Sequence, residues 1–338
     1  MTPIMQALEC ARELMTPLMR KMVRRLDPTT RLVVSYHLGW CDENGVPTNT
    51  NGGKAVRASL ALLGAKAGGA APEAALPGAV AVELVHNFSL VHDDLIDRDA
   101  ERRHRATVWA QWDDATAVLA GDAMLSLAHE VLLELRSPHA RAAETMIATA
   151  TRELIRGQAL DIAFENRRAV SLDECIDMAR GKTGALMSAS AAIGAVLTGA
   201  PATVADALAS YGGHVGLVFQ LVDDLLGIWG QPEITGKPVY SDLRSRKKTL
   251  PVTWAIENGG TAGRELAAWL GGEARAATEG ELVDVAELVE QIGGRAWAAK
   301  EAARSAALAE DAVAHAGVAP ELRGQLRALA RYLIDREA

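Results

Sequence analysis

An all-α fold is predicted by three features of the sequence. Apolar residues recur at three- and four-residue spacing almost throughout. No convincing run of alternating apolar and polar residues interrupts them. Aromatic residues make up only 4% of a chain that is 49% hydrophobic, so Ala, Leu and Gly fill many of its apolar positions. That composition favours closely packed helices over sheets.

The elements follow from the punctuation. The opening stretch, MTPIMQALECARELMTPLMRKMVRRL, mixes acid, base and apolar residues at helical spacing, which reads as an amphipathic helix and not as a secretory signal. Gly- and Pro-rich breaks at DENGVPTNTNGG, GGAAPEAALPG, LTGAPAT, GQPEITGKPVYSD, ENGGTAG and LGGEA divide the chain, giving about ten or more helices. The least charged stretch, ALMSASAAIGAVLTGAPATVA from Ala185, is rich in small residues and carries Pro201. It reads as an interior helix, so no transmembrane segment is expected. From Arg264 onward the chain is Ala-, Glu- and Arg-rich amphipathic helix. With no fixed repeat and no linker-like shift in composition, one domain over residues 1–338 is expected.

Charge and cysteine usage narrow the function. A net charge of −8 argues against a nucleic-acid partner, whose phosphates need a basic field. Cys10, Cys41 and Cys175 lie far apart with no metal-type spacing, which suits a reducing, cytoplasmic setting.

The acids are segregated. In LVHDDLIDRDAERRHRATVW, Asp93, Asp94, Asp97, Asp99 and Glu101 come before Arg102, Arg103, His104 and Arg105, and the acidic block ends an apolar run. Asp93 and Asp97 are one helical turn apart, so their carboxylates point the same way and repel unless a cation lies between them. Asp94 is turned about a third of the way round the helix. Hard oxygen donors that leave room for water and phosphate suit Mg²⁺. A second pair, Asp223 and Asp224 in VFQLVDDLLGIWG, again ends an apolar helical run. Two helices delivering carboxylates across a cavity would hold metals on a diphosphate and make it a leaving group. Asp113 and Asp114 in QWDDATA follow no apolar run, and read as exposed acids at a helix start.

Cations occur in matching places. NGGKAVRASL offers Lys54 and Arg57 after a Gly turn whose amides can approach phosphate. Arg102 and Arg103 follow the first acidic motif; Lys182 sits in GKTGAL, Lys237 in TGKPV, and Lys247 and Lys248 in RKKTLP. GKTG is no P-loop, because the upstream Gly and the preceding strand are missing.

Taken together, GGKAVR, HNFSLVHDDLID, the arginine pair, GQALDIAFE, KTGAL, FQLVDD, GK and KKTLP resemble, in order, the motifs of the trans-isoprenyl diphosphate synthases, also called polyprenyl synthetases. The resemblance implies an all-α fold around a deep central cavity, a homodimer, and head-to-tail joining of isopentenyl diphosphate to an allylic diphosphate. It implies that Asp93 and Asp97 hold two Mg²⁺ ions and Asp223 a third, with Asp94 and Asp224 as supporting carboxylates. Arg102, Lys182, Lys237 and Lys247 would clamp the allylic diphosphate, and Lys54, Arg57, His86 and Arg103 the isopentenyl diphosphate. Thr183 and Gln220 would lie beside the ionised carbon, with Gln158 and Asp161 behind them.

The chain departs from the family pattern at two places. Gly227 stands where many members have a third Asp, and GGKAVRA lacks the extra Arg and the Pro that many carry. Product length is read from the helix before the first motif, with Phe88 five residues and Ser89 four residues before Asp93. One aromatic at the fifth position and no insertion in DDLID resemble geranylgeranyl diphosphate synthases, so a twenty-carbon product is expected, with farnesyl or longer chains as alternatives. A class I terpene cyclase would not be expected to keep the Lys54, Arg57, His86 and Arg103 set. A non-catalytic partner subunit would be expected to lose metal carboxylates.

Overall fold

A computed structural model describes residues 3–48, 53–232, 238–272 and 277–334. The fold is all-α, as expected, and the sole paired strands among the described residues are two-residue pieces, β1 (Glu101–Arg102) and β2 (Arg105–Ala106). The chain forms two compact units. The first comprises Met1–Thr151, Ser188–Ala209 and Val313–Gln325, and the second Arg152–Met187, Ser210–Ala312 and Leu326–Ala338.

In the first unit, α1 (Pro3–Val23) buries Leu8, Ala11, Met15, Met19 and Met22, a stripe at the expected helical spacing. Asp27 caps α2 (Pro28–His37), accepting the Thr29 and Thr30 N–H bonds, with Pro28 preset for the first turn. The helix α3 (Val56–Ala67) is apolar on nearly every face and sits in the core. It meets α9 (Ala185–Leu197) where a β-carbon on Gly64 would come within 2.6 Å of Ala191 O, and one on Gly194 within 2.0 Å of Ala61 O. Only glycine lets two helix backbones approach so closely. The least charged stretch is therefore an interior helix, with Leu186, Met187 and Ile193 sealed from solvent.

The helices α4 (Leu76–Ile96) and α6 (Asp114–Leu133) pack along each other, with the short α5 (Val108–Gln111) before the second. Both are long and apolar enough, by length and composition alone, to cross a membrane, a property that buried core helices share. Of the two, α4 is a core helix, its apolar window being 72% buried in protein. Asp113 caps α6 through the Thr116 N–H, and Asp114 pairs with Arg98, so both are helix-start acids as expected.

In the second unit, α7 (Ala140–Glu165, from Arg152), α8 (Leu172–Ala179) and α10 (Ala202–Trp229, from Ser210) surround an apolar cluster of Phe164, Cys175, Met178, Leu217, Leu221 and Leu225. Beyond α10 come α11 (Ser241–Arg244), α12 (Leu250–Asn258), α13 (Gly260–Leu270), α14 (Glu279–Ile292), α15 (Gly294–Ala314) and α16 (Pro320–Ile334). The C-terminal stretch read as amphipathic helix is made of several helices, and Gly293 at φ 104 supplies the left-handed stop after α14.

Candidate active site

The first acidic motif closes α4. Asp97 is its C-cap, donating its N–H to Asp93 O at 2.8 Å, so Asp93 and Asp97 sit one turn apart on the last turn of the helix. Both are half-buried, whereas Asp94 is 2% exposed. Arg102 explains that burial: its Nε donates to Asp94 Oδ1 and Oδ2 at 2.7 and 3.0 Å, and its Nη2 lies 2.6 Å from Oδ1. A buried carboxylate is tolerable only with such a fork of donors.

Arg102 is aimed by a hairpin the sequence reading missed. Arg103 and His104, at φ 54 and 60, form a two-residue turn between β1 and β2. Two positive φ values are what a tight hairpin requires, and the usual Asn-Gly signal is absent here. Arg105 anchors the hairpin by donating to Tyr36 O at 3.0 Å and Cys41 O at 2.8 Å, with its guanidinium 4.0 Å above the Tyr36 ring. Beyond the turn, Arg103 points at the Gly53 backbone, where a β-carbon would meet its Nη2 at 2.9 Å.

A cationic nest follows. Arg57 and Arg103 both bear on Glu83, which is 8% exposed and accepts the Ala58 N–H at 3.1 Å. Burial raises the Glu83 carboxyl and the two arginines oppose it. Burial, then Arg57 and Arg103, hold His86 well below its ordinary value, so it is a neutral imidazole. His37 is pushed down to about 3 by burial, then by Arg103 and Arg102, and its Nε2 bonds Asn87 Oδ1 at 3.1 Å. Arg57, His86 and Arg103 are therefore brought together, and exposed Lys54 lies three residues before Arg57. Tyr36, His37, Asp94, Arg102, Arg103 and Arg105 line a pocket there. Glu83 and His37 were overlooked, although an acid inside AVAVELVH was a readable signal.

In the second unit, glycines set the geometry. The residues Arg180–Gly184 form a π-helical turn between α8 and α9. A β-carbon on Gly157 would stand 2.1 Å from Lys182 N, and one on Gly216 2.6 Å from Gly184 Cα. Small residues on both sides thus let α7 and α10 press the turn between them. Lys182 Nζ then reaches Asp161 Oδ2 at 2.5 Å, one turn beyond Gly157. Thr183 Oγ1 donates to Gln220 Oε1 at 2.8 Å, one turn beyond Gly216. Gln220 Nε2 donates to Asp224 Oδ1 at 2.8 Å, and Asp224 Oδ2 accepts the Leu250 N–H at 2.8 Å. Asp223 faces solvent while Asp224 is 5% exposed. Burial, followed by repulsion from Asp242, raises the Asp224 carboxyl to about 8.

Gln158 is 8% exposed, and neither of its amide atoms has a hydrogen-bond partner. Lys247 donates its N–H to Asp242 O at 2.8 Å, and Lys248 Nζ lies 3.5 Å from Glu165 O. Lys237 lies outside the described residues. On α4, Ser89 Oγ donates to His86 O, and Phe88 is buried edge-on to His92 at 5.0 Å. Among the described residues, no three His, Cys, Asp or Glu groups gather closely enough to hold a metal unaided.

The polyprenyl synthetase family model matches residues 40–289. The (2E,6E)-farnesyl diphosphate synthase of Mycobacterium tuberculosis is 63% identical over 330 residues, covering 97% of this chain and 92% of that protein. The geranylgeranyl diphosphate synthase of the same organism is 39% identical over 288 residues, covering 85% and 82%. A polyprenyl synthetase crystal structure from Streptomyces coelicolor A3(2) superposes with TM-score 0.93 at 49% identity, over 98% of this chain and 99% of that one. With most of the length matched and both acidic motifs in place, the chain belongs to the polyprenyl synthetase family, the trans-isoprenyl diphosphate synthases, and is a prenyltransferase.

Proposed function

We propose that this prenyltransferase makes farnesyl diphosphate, condensing isopentenyl diphosphate with five- and ten-carbon allylic diphosphates. The observation that carries the product length is the 63% identity to a farnesyl diphosphate synthase, against 39% to a geranylgeranyl synthase of the same organism. The geranylgeranyl expectation thus yields to its farnesyl alternative. The local rule looked only at α4, whereas Phe88 leans on His92, and His92 occupies the notch at Gly121 of α6, where a β-carbon would stand 2.1 Å from its Nε2. The space open to a growing chain depends on such neighbours as well as on the helix itself.

The donors fit Mg²⁺. Asp93 and Asp97 are paired, half-exposed carboxylates, and Asp223 reaches solvent, so hard oxygens stand where water and diphosphate oxygens complete a coordination shell. Magnesium, when bound, neutralises the diphosphate and makes it a leaving group. Asp93, Asp97 and Asp223 would hold it, and the full set of three ions remains part of this proposal.

The chain's own residues do the rest. Arg102 holds Asp94 inward, which leaves Asp93 and Asp97 to face the ligand. Lys54, Arg57 and Arg103 supply positive charge for isopentenyl diphosphate, and His86 stays neutral beside them, so it offers an N–H without adding charge. The Thr183–Gln220–Asp224 chain fixes the Gln220 carbonyl oxygen and the Thr183 hydroxyl oxygen, neutral dipoles suited to an allylic cation. Lys182 and Lys247 serve the departing diphosphate, and that diphosphate accepts the proton lost on condensation.

A homodimer is part of the same reading. Val118 and Leu119 of α6 are 42% and 63% exposed, and only 44% of that helix's apolar window is buried. A second copy would cover that face. A cytoplasmic setting is supported by three free thiols, at Cys10, Cys41 and Cys175.

The test is incubation of the purified protein and Mg²⁺ with isopentenyl diphosphate and each of the five-, ten- and fifteen-carbon primers. Fifteen-carbon alcohol after dephosphorylation, with the fifteen-carbon primer left unextended, is expected. Dominant twenty-carbon product would restore the geranylgeranyl reading, and cyclised hydrocarbon without use of isopentenyl diphosphate would favour a cyclase.

A further inference from the structure

Position 227 of α10 carries no side chain, and the space one would take is filled from elsewhere. A β-carbon on Gly227 would stand 2.0 Å from Asp242 Oδ2, 2.5 Å from its carboxyl carbon and 2.9 Å from Oδ1. These distances are far below contact, so the carboxylate and any side chain at 227 exclude each other. Asp242 is held there by its backbone. Tyr240, at φ 62, donates its N–H to Ile228 O at 3.2 Å, and Ser241 Oγ donates to Gly227 O at 3.1 Å. The Lys247 N–H closes the far end of the segment on Asp242 O at 2.8 Å.

Gly227 follows Asp223 by one helical turn, so the two positions share a face of α10. A carboxylate seated against Gly227 therefore stands where that face, as written in the sequence, lacks a third acid. We propose that Asp242 supplies, from the segment after α10, the third carboxylate of the second acidic motif, and that Gly227 makes room for it. The proposal rests on the reading of Asp223 as a Mg²⁺ ligand. Because no three acids among the described residues gather closely enough to bind an ion alone, Asp242 acts on the ion's charge and bound water and is a positioning residue.

The test reads metal affinity, not turnover: Mg²⁺ is titrated with inorganic pyrophosphate present, and thermal unfolding of the whole protein is followed. Asp242→Asn keeps the shape and is expected to weaken Mg²⁺ half-saturation about tenfold or more. The double variant Gly227→Asp with Asp242→Gly moves the acid onto α10 and is expected to recover most of that loss. Gly227→Ala alone is expected to unfold at lower temperature, because its β-carbon displaces the carboxylate. A wild-type Mg²⁺ response in Asp242→Asn, while Asp223→Asn weakens it, would overturn the role of Asp242 alone. An unchanged response in Asp223→Asn would overturn the underlying reading with it. A double variant no better than Asp242→Asn, or a Gly227→Ala protein as stable as wild type, would also refute the exchange.

Discussion

Replacing Gln220 by Leu cuts the hydrogen-bonded chain at its middle. The Gln220 amide does two things: its Oε1 accepts from Thr183 Oγ1 and its Nε2 donates to Asp224 Oδ1, both at 2.8 Å. Leucine matches the bulk and makes neither bond. A hydrogen bond to an ionised group contributes about 1.5–3 kcal/mol, and a buried hydroxyl left without its acceptor costs about 1 kcal/mol or more. Both stranded atoms belong to residues 9% exposed or less, so water does not readily replace the amide. Added apolar contact at half-buried position 220 returns up to about 1 kcal/mol. The net expectation is a loss of about 2–3 kcal/mol, read by urea unfolding of the metal-free protein at pH 9, above the raised value of Asp224. Asp224→Asn is the control. A flipped Gln220 amide can face an asparagine, whose carbonyl still accepts the Leu250 N–H, so a loss of under about 1.5 kcal/mol is expected. In kinetics, Gln220→Leu should lower kcat while leaving KM for isopentenyl diphosphate near wild type. A stability change below about 0.5 kcal/mol would refute the claim that this chain is held by the amide.

Other perturbations follow from the same geometry. Arg102→Leu strands the buried Asp94 carboxylate; since Arg102 itself is 31% exposed, a loss of about 2–3 kcal/mol is expected in urea unfolding, against much less for Arg102→Lys. His37 is held neutral at about 3 against 6.5 in the unfolded chain. The unfolded state therefore binds the extra proton between those values, and stability falls as pH drops through that window. At pH 5, His37→Gln should recover about 1–2 kcal/mol of the stability lost since pH 7.5; no recovery would mean the imidazole takes up its proton while folded. Phe88→Ala opens the side of α4 that Phe88 and His92 fill, and products longer than the wild-type chain should appear on chromatography. Chelation of divalent ions should stop condensation yet leave circular dichroism unchanged, because the second unit's clusters around Leu221 and Val252 are apolar and need no metal.

Helical periodicity and punctuation in the sequence determined the all-α fold, and the ordered motifs determined the family. These are local signals: burial of one face repeats every three or four residues, and a charged block next to an apolar run is visible without coordinates. The pairing of Asp94 with Arg102 was half legible, since the acids and bases are neighbours, but the turn at Arg103 and His104 that delivers the arginine carries no sequence signature. Tertiary structure alone decided that Lys182 meets Asp161, that Thr183 meets Gln220, and that Asp242 lies against Gly227. Those contacts depend on close approaches at Gly157, Gly184, Gly216 and Gly227, and glycine spacing along a chain does not say what will fill each gap. The same limit explains the product length: Phe88 could be read from its place before Asp93, whereas the His92 and Gly121 contact that holds it comes from a helix packed alongside.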